Sequence, residues 1–343
     1  MSSIRRSRFS TADLPPEQQF SAWRDSIGTV FDVHTRPAQA DRRFDATLDN
    51  LLINDQLMMS HCSTRSQHFE RSAFRAASDG LDHYMLQTHL SGEQQIRRGR
   101  RHIPVKPGDL LLIDLADEHQ AESTDFDHVS LIVPRPLLAP LLKHPDSQQG
   151  RVLSSANPLV ALAVNHIKTL AQVAGQLDEA DAQQLVTPTL QLMAGSLNGA
   201  PDSVVDGVQA VNGSLFFQAR LYIASRLHRK ISQDALCAHL KCSRATLSRV
   251  FQAHRGVRAY VQEQRLRSAA RRLTGQQDAH LRISDIACDC GFTSDAHFSR
   301  AFRQRFGLSP SDARHLRATP ATSSANAQAG EREYERWVVE SLV

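Results

Sequence analysis

The chain has no run of about 18 apolar residues, so nothing in its 343 residues reads as a bilayer-crossing helix. Arg5, Arg6 and Arg8 at the amino end are not followed by the apolar segment that a secretory signal needs. These two absences lead us to expect a cytoplasmic protein with no membrane partner. Cysteine is sparse and odd in number, at 62, 237, 242, 288 and 290, which implies no disulfide framework. The last four fall in segments of helical pattern and read as small core residues. Cys288-Asp289-Cys290 lacks the second spaced pair that a zinc site requires, and no cofactor is expected.

With 41% hydrophobic residues the chain can fill a core, and its length exceeds the roughly 250 to 300 residues past which a single core stops growing. Two domains are therefore expected. The total charge of +4 hides a division: residues 215–317 hold 19 Lys plus Arg against 7 Asp plus Glu, a net +12, which leaves −8 for the remainder. A basic region joined to an acidic one points to a polyanion as the partner of the former.

Along the chain, Ser10, Thr11 and Asp13 precede Pro15-Pro16, and Phe20, Trp23 and Ile27 follow at helical spacing, so Phe9 to Val33 reads as a capped helix. Residues 42–133 then change period. Short apolar runs separated by turns (Leu51 to Ile53, Leu57 to Met59, His83 to Leu90, Leu110 to Leu115, Val129 to Val133) predict a small β-barrel or sandwich. Ser91-Gly92 and Arg98-Gly99 bracket a hairpin, and Pro107-Gly108-Asp109 turns into the strand Leu110 to Ile113.

Such a domain is cupin-like. A cupin metal site needs a His-x-His pair and a later His to bring enough ligands together. Only His119 has a counterpart; His83 and His89 lie six apart and His-x-His occurs nowhere, so the metalloenzyme reading lacks its first ligand pair. A barrel without catalytic groups still holds small molecules. His61, His68, Tyr84, His89 and His119 are candidate pocket linings, and the sequence does not choose among them.

Helical spacing returns at 136–197, with Pro158 to Val173 (Leu159, Leu162, Ala163, His166, Ile167, Leu170) and Asp178 to Leu197 as an αα-hairpin. Its apolar stripe either continues the core or pairs with a second copy in a symmetric homodimer. Residues 198–214 read as a linker.

A helix from Leu215 to Leu227 precedes two helix-turn-helix units. In the first, Ser232 and Ser243 cap helices around a turn at Lys241-Cys242. In the second, Ser284 caps a helix bearing Ile286, Ala287 and Cys290, Gly291 supplies a left-handed turn, and Ser294 caps a helix that runs to Phe306 before Gly307 and Pro310. Phe298, Phe302 and Phe306 recur every four residues and must face a core, which turns Asp295, Ser299, Arg300 and Arg303 outward. Leu247-Ser248-Arg249-Val250-Phe251, with Gly256 beyond, repeats Phe298-Ser299-Arg300-Ala301-Phe302 with Gly307 at a distance of 51 residues. Tyr260 to Leu273 makes a connecting helix of about 20 Å. Two such helices suit successive major grooves, about 34 Å apart.

The pattern Ile286-Ala287, Cys290-Gly291-Phe292, Ser294, Phe298 to Phe302 and Phe306-Gly307-Leu308-Ser309-Pro310 resembles that of the AraC/XylS family of bacterial transcription regulators. The likeness is strongest over 215–317; Gly99, Pro107-Gly108-Asp109 and Val133-Pro134-Arg135 are similar to the family's effector-binding domain. The resemblance implies an α+β protein. A cupin-like barrel with a helical hairpin fills residues 1–197, an all-α pair of helix-turn-helix motifs fills 215–317, and a tail follows at 318–343. It implies that double-stranded DNA (an operator or promoter), a small-molecule effector and, for an activator, RNA polymerase are the partners. The groove-facing positions carried over are Ala245, Ser248 and Arg249, with neighbours Arg244 and Thr246, and Asp295, Ala296, His297, Ser299 and Arg300. Arg249 and Arg300 either read guanine or grip phosphate, and Asp295 either accepts from cytosine or caps its helix.

Three positions depart from the family pattern: Cys237 for Ala, Lys241 for a turn Gly, and Arg258 for Pro. In the tail, Glu331 to Val343 reads as a short amphipathic helix with Tyr334, Trp337 and Val338. Two rivals are a cupin-type metalloenzyme with a DNA-binding appendage and a non-specific architectural DNA binder.

Overall fold

The computed structural model describes residues 5–35, 43–99, 101–199, 210–316 and 337. Strand β1 (Arg5–Ser10) opens the chain, and α1 (Pro16–Ile27), β2 (Asp32–His34), β3 (Thr47–Ile53), β4 (Leu57–Thr64), β5 (Gln67–Arg71) and α2 (Ala73–Ser78) follow. Then come β6 (His83–Ser91), β7 (Gln94–Arg98), β8 (Arg101–Val105), β9 (Leu110–Asp114), β10 (His119–Ser123), β11 (Phe126–Pro134), α3 (Arg135–Leu138), β12 (Arg151–Leu153), α4 (Pro158–Val173) and α5 (Glu179–Gly199). The strands form two antiparallel sheets, one of seven in the order β1-β3-β4-β11-β6-β9-β12 and one of five in the order β2-β5-β10-β7-β8.

The sheets reach beyond 42–133 at both ends. Arg5–Ser10 is an edge strand paired with β3, not the start of a helix; its Ser7 and Phe9 point inward while Arg5, Arg6 and Arg8 face solvent, which protects an open edge. The helix begins only at Pro16, with no side-chain cap. Thr11 serves the β half instead, where its hydroxyl donates to the Phe44 carbonyl at 2.8 Å and accepts from the Ala46 amide at 2.8 Å. Ser91-Gly92 is the passage from one sheet to the other, and the hairpin proper is β7 with β8.

The seven-stranded sheet is covered on both faces, which explains why β9 and the end of β11 are apolar without alternation. One face carries Met58, Met85, Ile113 and Ile132 towards the five-stranded sheet and α1. The other carries Met59, Leu86, Leu112 and Leu131 against α4 and α5. The hairpin stripe therefore continues the core through Val160, Ala163, Val164 and Ile167, but Leu159 and Leu162 are not part of it: they are 43% and 57% exposed.

The second half comprises α6 (Ala210–Ala224), α7 (Gln233–Leu240), α8 (Arg244–Val250), α9 (Val257–Thr274), α10 (Ile283–Asp289), α11 (Asp295–Phe306) and α12 (Pro310–Leu316). The helix expected from Leu215 starts five residues earlier, and linker residues 200–209 lie outside the described residues. The connecting helix is longer than the sequence suggested: 18 residues, about 27 Å at 1.5 Å each. Its first turns pack Val257, Tyr260 and Val261 into the core of the first module. Its last turns pack Leu266, Ala269, Ala270 and Leu273 into that of the second.

The second core also receives Ala77, Ala73 and Phe74 from α2, so the β half supplies a wedge to the helical half. The Phe74 ring lies 6.4 and 5.9 Å from those of Phe302 and Phe306. Of the tail only Trp337 is described, and it is buried within the core of the β half; the rest of the expected tail helix lies outside the described residues.

Candidate nucleic-acid interface and ligand cavity

Both expected turns form, by different means. In the first module Lys241 takes the left-handed conformation (φ 51°) where glycine is the cheaper residue, and Ser243 caps α8 by accepting from the Thr246 amide at 3.1 Å. In the second, Gly291 has φ 88° and Ser294 caps α11 by accepting from the His297 amide at 3.3 Å. Ser294, not Asp295, is the cap, so Asp295 is left at the first helical position facing solvent. Ser284 does not cap α10: the helix starts at Ile283, and the Asp285 carboxylate accepts from the Arg282 amide at 3.2 Å. The repeat extends to the helix ends, where Gly256 (φ 92°) and Gly307 (φ 79°) both adopt the left-handed region. Pro310 does more than stop a helix; it opens α12.

The expected outward positions are outward. Arg244, Ala245, Ser248 and Arg249 on α8 are exposed and Thr246 is half-buried, while Asp295, Ala296, His297, Ser299 and Arg300 on α11 are all exposed. Leu247, Val250, Phe298 and Phe302 take the inward side. Arg244 is engaged by Asp234 of α7 at 2.6 Å. Arg249 and Arg300 have no ion-pair partner among the described residues. Two of the four helical cysteines do not fit the core reading, for Cys288 is exposed and Cys242 sits in the turn.

Arg265 of α9 locks the two modules together. Its Nε donates to the Leu227 carbonyl at 2.9 Å and its guanidinium also reaches the Arg229 carbonyl at 2.7 Å, so backbone beyond α6 is held against the connecting helix. The turn at Gly291 closes over this clamp.

Between the two sheets lies a cavity, of which about 50 Å³ is open to the centre of a water molecule. Of the five residues put forward from sequence, only His119 lines it. His61 is at the surface, 2.7 Å from Asp127, and His68 is 3.8 Å from Glu122. Tyr84 faces the helices, donating to the Pro145 carbonyl at 2.7 Å beneath the Arg135 guanidinium. His89 is buried behind His128, with ring centroids 5.6 Å apart. The polar linings that the sequence reading missed are Ser60, Gln87, Gln94, His128 and Ser130. Their signal was present in the strand period, since each takes an inward position among apolar neighbours; register places Ser130 beside Ser60 and Gln87.

Four of the lining atoms are buried without a hydrogen bond among the described residues: His119 Nε2, His128 Nδ1, Ser130 Oγ and Gln94 Oε1. Such orphans are rare in folded proteins and mark a place where a ligand or water completes the set. Burial pushes His119 down to about 4, with the Arg71 guanidinium adding to the effect, and pushes His128 well below the ordinary imidazole range, so both rings are neutral near pH 7. Burial likewise raises the Cys62 thiol, which removes it as a nucleophile. Among the described residues no three His, Cys, Asp or Glu side chains converge as a metal site.

The cavity is tied to the helical half by a short loop. His119 begins β10, and the three residues before it hold the connecting helix. Arg267 donates to the Ala116 carbonyl and to Asp117 at 2.7 Å, and Arg305 of α11 stands 3.6 Å from Glu118. Glu263 bridges the two arginines at 3.0 and 2.8 Å; burial would raise its carboxyl, but these partners hold it below the usual range. On the other side of the cavity Phe69 of β5 lines the wall. Arg71, two residues on, bonds the carbonyls of Leu115 and Val30 and the carboxylate of Asp79, bracing α2.

A two-sheet β domain with a central cavity, joined to tandem helix-turn-helix modules with exposed cations, has the outline of a DNA-binding protein with a separate cavity-bearing domain. A family model described as an AraC-binding-like domain matches residues 23–197, and one described as a helix-turn-helix domain matches 236–315. The chain belongs to the AraC family of transcriptional regulators, which are not enzymes. It is 34% identical over 96 residues to the HTH-type transcriptional activator RhaR of Salmonella schwarzengrund (strain CVM19633), covering 27% of this chain and 33% of that one. Against RhaR of Escherichia coli (strain K12) the identity is 27% over 224 residues, 61% of this chain and 76% of the relative. The AraC-like transcriptional activator CuxR matches in structure with a TM-score of 0.54 at 25% identity, covering 76% of this chain and 94% of CuxR. No helix among the described residues is long and apolar enough to cross a membrane.

Proposed function

We propose that this regulator is an effector-responsive activator, cytoplasmic and homodimeric, in which the half up to residue 197 takes a small molecule and residues 215–317 hold an operator. The observation that carries the reading is the pair of exposed arginines, without an ion-pair partner among the described residues, at equivalent positions of the repeat, Arg249 and Arg300, each beside an exposed serine. Arg244, Ala245, Thr246, Ser248, Asp295, Ala296, His297 and Ser299 complete the two faces. The names of the relatives favour activation, for which RNA polymerase is the partner. The effector acts by linkage: it shifts DNA binding only to the extent that it prefers one arrangement of the two halves. The loop from Ala116 to Glu118 is the shortest route, since His119 faces the cavity and its neighbours hold Arg267 and Arg305.

Duplexes selected from a random pool, with random DNA as competitor at fixed salt, supply the operator for the test. Arg249→Ala and Arg300→Ala each weaken binding by about 1 to 3 kcal/mol and relax preference at one base position. Parent-like binding by both variants contradicts the assignment, and equal affinity for every sequence returns the protein to a non-specific binder.

For the homodimer, Leu159 and Leu162 form an exposed apolar pair on α4, suited to the same face of a second copy. Sedimentation equilibrium should show Leu162→Glu dissociating at a concentration at least about tenfold higher than the parent, from the cost of burying an unpaired charge. An unchanged dissociation constant places the dimer contact elsewhere.

A further inference from the structure

We propose that the cavity between the sheets accepts a compact uncharged molecule, about one six-membered ring in bulk, with an apolar body and at least one hydroxyl or N–H, and rejects carboxylates, phosphates and ammonium ions. This rests on the effector reading above and gives it a chemical class.

Bulk comes first. At about 10 to 15 Å³ of centre space per water, the cavity holds on the order of four waters, the displaced volume of a single ring. Its walls are largely apolar: Trp23 and Ile27 from α1, Phe31, Leu48, Phe69, Met85 and Ile113. Trp23 offers only its ring, because its N–H is committed to Gln67 at 2.7 Å.

Charge is decided next. Among the described residues no Asp, Glu, Lys or Arg lines the cavity. Arg71, the buried cation nearest in sequence to the wall residue Phe69, is fully enclosed, with its donors spent on Leu115, Val30 and Asp79. An anion would have to be paired by protonating His119 or His128, which burial opposes, and an ammonium ion would meet no carboxylate. A buried charge without a partner is not tolerated.

The polar atoms then set the functional group. Ser130 Oγ, His128 Nδ1 and Gln87 belong to the seven-stranded sheet; Gln94 Oε1 and His119 Nε2 face them from the five-stranded one. Ser60 stands beside Ser130 but already donates to Asn50 at 2.6 Å. The Gln94 carbonyl oxygen can only accept, so the occupant must carry a donor, while the serine and the imidazoles can serve either way. This small set matches one or two polar groups, not the many hydroxyls of a sugar.

The test uses four probes of one shape: benzyl alcohol, toluene, benzoate and benzylammonium, each titrated into the full-length protein at pH 7.5. The methyl group of Met85, which lines the cavity, is the NMR reporter. Benzyl alcohol should shift that signal saturably, with benzoate and benzylammonium at least about tenfold weaker. Ser130→Ala should lower the affinity for benzyl alcohol about fivefold and leave toluene unchanged. Benzoate or benzylammonium binding as tightly as the alcohol overturns the charge argument, and toluene binding as tightly overturns the hydrogen-bond argument. No saturable shift with any probe leaves the cavity to water and overturns both. Affinity for the selected operator is followed in parallel. If the alcohol binds as expected without changing DNA affinity, the ligand class stands and the regulatory reading falls.

Discussion

Gly291→Ala should abolish DNA binding by unfolding the second helix-turn-helix, at a cost of about 2 to 5 kcal/mol, while leaving the β half able to bind its ligand. Two penalties add. The residue sits at φ 88°, where a side chain costs about 1 to 2 kcal/mol. A Cβ would also stand 2.4 Å from the Leu227 carbonyl oxygen and 2.8 Å from the Arg265 guanidinium. Neither neighbour yields cheaply, because the oxygen is backbone and is itself the acceptor of the Arg265 hydrogen bond. Forcing space into packed structure costs a further 1 to 3 kcal/mol or so, and a domain with about 5 to 15 kcal/mol in total cannot absorb much of that. Gly256→Ala and Gly307→Ala are the controls: both positions have positive φ but open space around the added carbon, so Gly307→Ala should cost about 1 to 2 kcal/mol and Gly256→Ala, at φ 92° and ψ 166°, about 1 to 3 kcal/mol. Urea denaturation followed separately in the two halves measures all three, and a Gly291→Ala loss no larger than that of the controls would remove the close approach from the explanation.

Acid should weaken the β half well before its carboxylates titrate. Burial lowers His89 and His119 to about 4 and holds His128 well below its ordinary value, against about 6.5 in an unfolded chain. Above pH 6.5 neither state binds these protons and stability is at its full value. As pH falls through 6.5 the unfolded chain takes up protons that the folded one refuses, so stability drops by about 1.4 kcal/mol per pH unit and per histidine until the folded pKa is reached. One ring contributes about 3 kcal/mol over that window. His89 and His128 are neighbours, so their effects do not simply add. Asp114 works the other way: burial raises its carboxyl against the pull of Arg135, and its protonation at low pH favours the folded state. Urea midpoints between pH 7.5 and 4 give the curve, and His119→Gln should reduce its slope by about one proton. A curve flat down to pH 5 would mean that these rings are protonated in place.

Much of the helical half was legible because its signals are local. Ser232, Ser243 and Ser294 cap helices as expected, Gly291 turns as expected, and the four-residue spacing of Phe298, Phe302 and Phe306 assigns the opposite face to solvent. The β half was legible in class and less so in detail. Arg5–Ser10 has three arginines in six residues and no apolar run, and it is a strand only because β3 offers an edge to pair with. The cavity escaped for a similar reason. His61, His68 and His128 look alike in sequence, but the first two point out and the third points in, a difference set by register.

By itself, then, the order of residues determined a basic tandem of helix-turn-helix units behind an acidic β-rich half, since capping, turn and periodicity signals act within a few residues of where they are written. Only the tertiary structure decided which polar side chains are trapped without partners between the sheets, that Phe74 enters the core of the second module, and that the residues before His119 hold Arg267 and Arg305. Those contacts join groups as far apart in the chain as Phe74 and Phe302, and burial and partnership at such separations depend on how whole sheets and helices close on one another, which no local pattern encodes.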